Sequence, residues 1–558
     1  MFVVFEGIDG GGKTTLSNMV ATLLRQRGLV VEHVREGGKF ASNVTQAMRE
    51  LGRDARNLAM TPRAELLLYL TREVQLAEEA TRPALERADV VIADRYVYTA
   101  QTLAVHGRGM SPLEVAPLVA GAANGLLPEL AVLVDVDPQV ARARRRVSKL
   151  VTPDDKAPSR KGLAGTALQH RLREGYLALA ARDPERWIVV DNTEADLHAM
   201  ADALADVIAQ ARRDGVVTAR TAMAHPAQPP ALDGGDLARA RRALIAWVDR
   251  RSPREPGLAA YFLDGVAGPE FDVRRRALAP RVPSVVAAGL RWLDDPESWH
   301  LRRALASQAP DQVARSLASP ARAHPDAHAL LCALVGITPR EVATALWGRD
   351  DEPAWELRAQ LPADQAARSL GAVAGERAWA VRERWIASRG GLAAIDDVAT
   401  ATLACEAVEA VGDDRAWQVR KALRQVAPVA ALDSTYLLVD DRSWKWRERS
   451  IERAAKIVMR TIGQHLDPRA WALRERAIAR CEETFDSLIG VDTEVAWRMR
   501  EAALARWPSS VVKSLGPLAT TERGQAMICA GLARSPHDVA LWRHALIVGT
   551  PGGGAVRW

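Results

Sequence analysis

Eight residues near the amino terminus, Gly7-Ile8-Asp9-Gly10-Gly11-Gly12-Lys13-Thr14, have the spacing G-x-x-x-x-G-K-[ST] of a loop that cradles phosphate groups. Its glycines let the backbone curl so that successive N–H groups face one anion, and a helix beginning directly afterwards adds the positive end of its dipole. Lys13 would place a point charge at the β- and γ-phosphates of a nucleotide, and the Thr14 hydroxyl, followed by Thr15, would sit on Mg²⁺. The chemistry open to such a set is nucleoside triphosphate binding and phosphoryl transfer. A glycine-rich turn without a ligand is the competing reading, and the flanking elements argue against it.

A phosphate loop must join a buried strand to a helix. Residues 1–5 form an apolar run suited to the strand, and Leu16, Met19, Val20, Leu23 and Leu24 recur at helical spacing behind it. Further strands are expected at 29–34, 90–93, 130–136 and 187–190. A helix is expected over 64–87, carrying Leu66, Leu67, Leu70 and Val74, with a break or boundary at Pro83. Strands alternating with helices imply a parallel sheet with helices on both faces and ligands at the carboxyl ends of the strands. The strand at 90–93 delivers Asp94-Arg95-Tyr96 at its tip. There a carboxylate can hold Mg²⁺ and a guanidinium can grip a second phosphate, whereas a surface ion pair is the plainer alternative.

The run from Phe5 and Glu6 through the loop to Thr15, Asp94-Arg95-Tyr96 with Thr99 close behind, and Gly107-Arg108-Gly109 together resemble the thymidylate kinase family, over about residues 1–210. The resemblance implies an α/β P-loop kinase domain that uses ATP and Mg²⁺ to phosphorylate a nucleoside monophosphate, dTMP to dTDP in the first instance. It implies ATP binding by Gly7, Ile8, Asp9, Gly10, Gly11, Gly12, Lys13, Thr14 and Thr15, with Thr14 and Asp94 on the metal. Asp9 would face the sugar 3′-hydroxyl, Arg95 would bind the acceptor phosphate, Arg72 would reach the thymine ring, and Thr99 completes the substrate set. Lys13, Asp9 and Arg95 are thereby catalytic candidates. The family draws further catalytic arginines from the phosphate loop or from a lid after the fourth strand, and Gly10 and Gly11 leave that task to the lid. Arg142 and Arg145 are the candidates there, within a run that includes Arg144, Arg146 and Lys149, with Arg160 and Lys161 further on. Such cations would neutralise charge on the transferring phosphoryl group, although an arginine run is also what a solvated helix face looks like.

Other family positions differ. An arginine-glutamate-proline-glycine-glycine segment stands here as Arg35-Glu36-Gly37-Gly38, Leu68 beside Tyr69 replaces the aromatic partner of thymine, and Leu103-Ala104 replaces a tyrosine-glutamine pair. The phosphoryl-transfer parts match more closely than the base-reading parts. Two alternatives follow: a kinase for another pyrimidine monophosphate, and a nucleotide-sensing module that gates binding of a partner by the rest of the chain.

The 558 residues hold 75 Lys+Arg against 69 Asp+Glu, a formal +6 that does not point to nucleic acid and fits mostly solvated helix faces. Cys332, Cys405, Cys481 and Cys529 lie too far apart for a CxxC metal site or a disulfide framework, and His106 and His170 lack ligand spacing. No apolar run approaches a membrane span and no signal peptide fits ahead of a loop at residue 7, so a cytoplasmic location is expected. The expected domains are 1–213 for the kinase-like part, 214–236 for a linker rich in proline and glycine, and 237–558 for an all-α helical-repeat domain.

The repeat is carried by tryptophan. Trp299, Trp355, Trp379, Trp417, Trp444, Trp471 and Trp497 are each followed three residues later by an arginine, and most are preceded by an acid. The last four are 27, 27 and 26 residues apart, the earlier intervals being 56, 24 and 38. An acidic cap followed by tryptophan and arginine one turn apart marks a helix start, so stacked helices in an irregular α-solenoid of HEAT-like form are expected. The structural expectation is that each tryptophan packs between helices and each arginine pairs with an acid at a helix start. The functional alternative is a concave surface for a partner, a protein rather than nucleic acid. By resemblance to the kinase family, a homodimer is a further expectation.

Overall fold

The computed structural model describes residues 1–34, 42–152, 165–194, 196–214, 237–318 and 324–549. Arg35 to Gly38, Arg160, Lys161 and residues 215–236 lie outside the described residues. The chain divides into two compact units, one containing the sheet and one containing the helical array.

In the first unit, β1 (Phe2–Glu6), β2 (Val31–His33), β3 (Val90–Asp94), β4 (Leu130–Asp135) and β5 (Trp187–Asp191) form one parallel sheet in the order β2-β3-β1-β4-β5. Every residue of β1, β3 and β4 is buried, as a parallel sheet covered on both faces requires. The helices are α1 (Lys13–Gln26), α2 (Asn43–Arg53), α3 (Pro62–Leu76), α4 (Arg82–Arg87), α5 (Val97–Thr102), α6 (Pro112–Ala123), α7 (Pro138–Val151, which belongs to this unit as far as Arg145), α8 (Thr166–Arg182) and α9 (Leu197–Asp214). Leu16, Val20 and Leu24 of α1 and Leu204 and Ile208 of α9 share one core with Val3, Phe5, Val132 and Val134. That packing fixes α1 against the sheet, and β1 between β3 and β4 sets the phosphate loop between the tips of both neighbours. Pro83 does not break the helical run. Ala77–Thr81 forms a π turn after α3, and Pro83 then falls in the first turn of α4, where a missing N–H is tolerated.

In the second unit every described element is a helix. Longer helices such as Pro296–Leu305, Asp414–Leu423 and Glu494–Ala503 alternate with short ones such as Pro283–Gly289, Pro310–Ser316 and Pro339–Ala345, and the short helices pack on one another in succession. The array closes on itself. Its last helix, Val539–Gly549, packs on Pro508–Leu515 and also on the first two, Leu237–Arg251 and Pro256–Phe262. Arg543 fastens this closure by donating to the backbone oxygen of Asp264 at 2.9 Å and to its carboxylate at 2.7 Å.

The arginines of the tryptophan pairs are not bound to acids at helix starts. Arg302, Arg358, Arg382, Arg420, Arg447, Arg474 and Arg500 are buried and donate mainly to backbone carbonyls. Arg447 donates to Thr435 O at 2.6 Å, Leu438 O at 2.7 Å and Thr461 Oγ1 at 3.1 Å. Arg302 repeats the pattern with Leu290 O at 2.6 Å, Leu293 O at 2.8 Å and Ser316 Oγ at 3.1 Å. In both, the carbonyls follow the end of one short helix and the hydroxyl lies near the end of a later helical segment, so the guanidinium caps a helix end and ties two repeats together; Arg382 reaches Ala407 O in place of a hydroxyl. Burial pushes all seven down to about 10, which leaves them charged at neutral pH.

The acids have other partners. Asp295, Asp351, Asp413 and Asp440 cap their helices through backbone N–H groups. Asp294, Asp350 and Asp492 accept the indole N–H of Trp299, Trp355 and Trp497 at 2.7, 2.8 and 2.8 Å. Several rings lie between two guanidinium groups, Trp444 having Arg447 at 4.8 Å and Arg469 of the next repeat at 5.1 Å. Two helices of the array lack the tryptophan. Arg275 donates to Leu263 O at 2.7 Å and to Val266 O with Asp272 where tryptophan would stand, and in Pro325–Leu334 His328 and buried Leu331 take the places of the pair.

Candidate active site

The phosphate loop closes tightly at the head of α1. Gly12 and Gly10 have φ of +86° and +89°, and a Cβ on either would fall 2.5 Å from Asn192 Nδ2 or 2.4 Å from Ala141 O. Lys13 is buried and its Nζ donates to Ile8 O at 2.6 Å. Burial, helped by the nearby Arg95 charge, lowers its ammonium to about 7 against the opposing pull of Asp9, Asp94 and Glu6. Thr14 Oγ1 donates to Asp94 Oδ2 at 2.5 Å, so the hydroxyl and the carboxylate named from the sequence are adjacent.

Arg95 follows β3 in the left-handed region, with φ of +80°. The turn is held by Glu6, a fully buried residue at the end of β1, whose carboxylate accepts Tyr96 N–H at 2.8 Å and Thr99 Oγ1–H at 2.7 Å. Burial pushes the Glu6 carboxyl up, with Arg95 and these two bonds opposing. From this turn the Arg95 guanidinium pairs with Asp9 and donates to Gly7 O at 3.1 Å, Thr99 Oγ1 at 3.2 Å and Tyr176 OH at 3.4 Å. Burial alone would weaken its hold on the proton, but Asp9, Tyr176, Asp94 and Glu6 raise it above the ordinary arginine value. Glu6 and Tyr176 were not singled out from the sequence. A glutamate ending an otherwise apolar strand was the available signal for the first; the second had none.

Arg72 stands with Glu73 and Tyr69. It is buried in α3, donates Nε to Glu73 Oε1 at 3.0 Å, and lies 4.8 Å over the Tyr69 ring, so Tyr69 rather than Leu68 is its aromatic neighbour. Arg49 of α2 lies in the field of Arg72 and Tyr69, and burial lowers its guanidinium. Leu103 and Ala104 are buried in a π turn, Leu103–Gly107, with Leu103, Leu168 and Leu172 crowding the α-carbon of Gly107.

The basic run is helical in α7. Arg145 lies beside the loop, its Cγ within 3.1 Å of a Cβ built on Gly10, and it feels the charges of Asp9 and Arg142. Its Nε is buried without a partner among the described residues, and burial lowers the guanidinium. Arg142 donates to Thr166 Oγ1 at 3.1 Å and Arg144 to Asn192 O at 2.9 Å. Lys13, Thr14, Asp94, Asp9, Arg95, Thr99 and Arg145 therefore converge, with Arg142 one partner removed.

A family model described as Thymidylate kinase matches residues 5–202, a span containing every one of these side chains. A thymidylate kinase of Bifidobacterium longum subsp. infantis is 35% identical over 237 residues, 40% of this chain and 97% of its own length. The chain belongs to the thymidylate kinase family. A second thymidylate kinase, from Nitratidesulfovibrio vulgaris, is 34% identical over 209 residues, 38% of this chain and 92% of its own. The crystal structure of the thymidylate kinase from Ehrlichia chaffeensis aligns with 38% of this chain and 98% of that one, at 20% identity and a TM-score of 0.28. The family-model match ends at residue 202, ahead of the helical array. Among the described residues no helix is long and apolar enough to cross a membrane.

Proposed function

We propose that the chain transfers the γ-phosphoryl group of ATP to dTMP, giving ADP and dTDP, at the cluster of Lys13, Asp9 and Arg95. The observation that supports this most is Arg95, strained into a left-handed turn by Glu6 so that its guanidinium meets the phosphate loop and Asp9. A monoanionic or dianionic phosphate beside it would face the donor's γ-phosphorus across the loop. An acceptor phosphate oxygen forms the new P–O bond while the bond to the β,γ-bridging oxygen breaks and its electron pair leaves with ADP. No covalent enzyme intermediate is needed, because positioning and charge neutralisation supply the catalysis.

Within this reading Lys13 attracts the β- and γ-phosphates, Arg95 binds the acceptor phosphate, and Arg145 from α7 covers the transferring group, with Arg142 behind it. Thr14 and Asp94 form a hard oxygen pair that suits Mg²⁺, which when bound would neutralise phosphate charge. Asp9 would face the sugar, and Arg72 with Tyr69 would read the base. Thr99, already bonded to Glu6, would serve mainly by holding Arg95. The test is a coupled ADP-release assay of the full chain with ATP and Mg²⁺ against dTMP, dUMP, UMP, CMP and no acceptor. Turnover that depends on dTMP and exceeds the others is expected. Comparable rates with dUMP and UMP would widen the acceptor class, and ADP release that ignores the acceptor would overturn the reading.

A further inference from the structure

We propose that two buried carboxamides, Asn192 after β5 and Gln169 of α8, are positioning residues that set the peptide orientations of the phosphate loop, Asn192 for the donor nucleotide alone and Gln169 for both nucleotides. The inference deepens the kinase reading and rests on it. Asn192 Nδ2 donates to Gly11 O at 2.8 Å, and Gln169 Oε1 accepts from Asp9 N–H at 3.2 Å. Both side chains are buried, Asn192 being 1% exposed.

The geometry of a trans peptide gives these two bonds their meaning. The C=O of one residue and the N–H of the next point in opposite directions. Holding the Gly11 carbonyl outward on Asn192 therefore turns the Gly12 N–H inward, toward the position of a bound phosphate. At the other end, Ile8 O is turned inward and accepts from Lys13 Nζ and Gly11 N–H, so the Asp9 N–H points outward and meets Gln169. Between the two braces stand Gly10, Gly11 and Gly12, three consecutive residues without a Cβ to limit their dihedral angles. A loop of this composition has little intrinsic preference for the binding shape, and the braces supply it.

Folding stability alone does not account for Asn192. Its Oδ1 is buried with no hydrogen-bond partner among the described residues, so an apolar side chain of the same shape would relieve one desolvated oxygen while taking the donor from Gly11 O, two terms of opposite sign that largely offset. Its backbone is separately secured, N–H to Asp135 O at 2.7 Å and O to Arg144 at 2.9 Å, and that backbone anchoring survives a change of side chain. The amide is thus aimed at the loop from a fixed platform.

The experiment measures KM for ATP and for dTMP, equilibrium ATP binding without acceptor, and the thermal midpoint, in the full chain and in Asn192→Leu, Asn192→Ala and Gln169→Leu. Asn192→Leu is expected to raise the KM and Kd for ATP about three- to tenfold, the range that one lost hydrogen bond gives, while the dTMP KM moves less than twofold and the thermal midpoint shifts only slightly. Asn192→Ala should show the same split in KM if leucine packs poorly against Gly12. Gln169→Leu should raise both KM values, because Asp9 also faces the acceptor. Unchanged ATP binding in both Asn192 variants, or an equal rise for ATP and dTMP, overturns the assignment. A wild-type chain that binds ATP but transfers nothing would instead remove the kinase reading, and the binding arm would still report on the loop.

Discussion

Arginine is put to opposite uses in the two units. In the helical array Arg302, Arg447 and Arg500 each give their protons to carbonyls and a hydroxyl fixed by neighbouring helices, and indole rings cover their faces. In the sheet unit Arg95 is held by an aspartate, a backbone oxygen and two hydroxyls, on a turn strained to φ of +80°. A guanidinium bound to helix-end carbonyls has no better partner available and serves architecture. One bound to another ionisable side chain at the edge of a phosphate loop can exchange that partner for an incoming anion. Charge is alike in the two settings, but Arg95 keeps 14% of its side chain exposed where Arg302, Arg447 and Arg500 keep none, and the chemical nature of the partner differs.

The comparison breaks first at Arg95. Arg95→Ala should lower turnover by about a hundredfold or more, because the acceptor phosphate loses the group that positions it, with little change in thermal unfolding. Steady-state rates beside a melting curve check this, and near-normal turnover would return Arg95 to a structural role. Arg447→Ala should do the reverse. It leaves Thr435 O and Leu438 O without their donor and should destabilise the helical unit by about 2–5 kcal/mol, with turnover per folded molecule unchanged. Denaturant titration followed by circular dichroism reads this loss, and a shift below about 1 kcal/mol would mean that the carbonyls find other donors.

The pH dependence of ATP binding comes next. Free Lys13 loses its proton near pH 7, whereas phosphate beside it favours the charged form. Above about pH 7 binding must therefore take up a proton, and affinity should weaken by up to about tenfold per pH unit until the ammonium of the complex titrates as well. For folding the sign runs the other way. The unfolded chain binds this proton more tightly, so the Lys13 contribution to stability rises from about pH 7 up to the ordinary lysine range. Calorimetry at pH 8 in buffers of differing ionisation enthalpy measures the uptake directly; no uptake would contradict the lowered value. The smallest effect is expected at Arg469, exposed over Trp444 and paired with Asp441 and Asp467. Its replacement by alanine should leave the unfolding transition of the array nearly unmoved.

Local features were legible in the sequence. The phosphate loop is contiguous, the strands are short apolar runs, and Asp94-Arg95 falls at a strand tip because β3 ends there. The acidic caps of the repeat helices were equally local. What stayed hidden involves partners distant along the chain or partners without side chains. Glu6 meets Thr99 across 93 residues, Asn192 meets Gly11 across 181, and Arg543 meets Asp264 across 279. The buried arginines bond carbonyls, which every residue carries, so no residue type marked their targets; the hydroxyl of Ser316 or Thr461 was the only coded part. Asp272 and His328 in place of tryptophan hid two helix starts, and His328 accounts for the longest interval by dividing it into 29 and 27 residues.

The most direct measurement follows the phosphorus atoms themselves. Phosphorus NMR of the full chain with ATP, Mg²⁺ and dTMP should show ADP and dTDP forming one for one, with no inorganic phosphate, and Arg95→Ala should abolish both products together. Inorganic phosphate in place of dTDP, or dTDP formed at an unchanged rate by Arg95→Ala, would contradict transfer at the Lys13, Asp9 and Arg95 cluster.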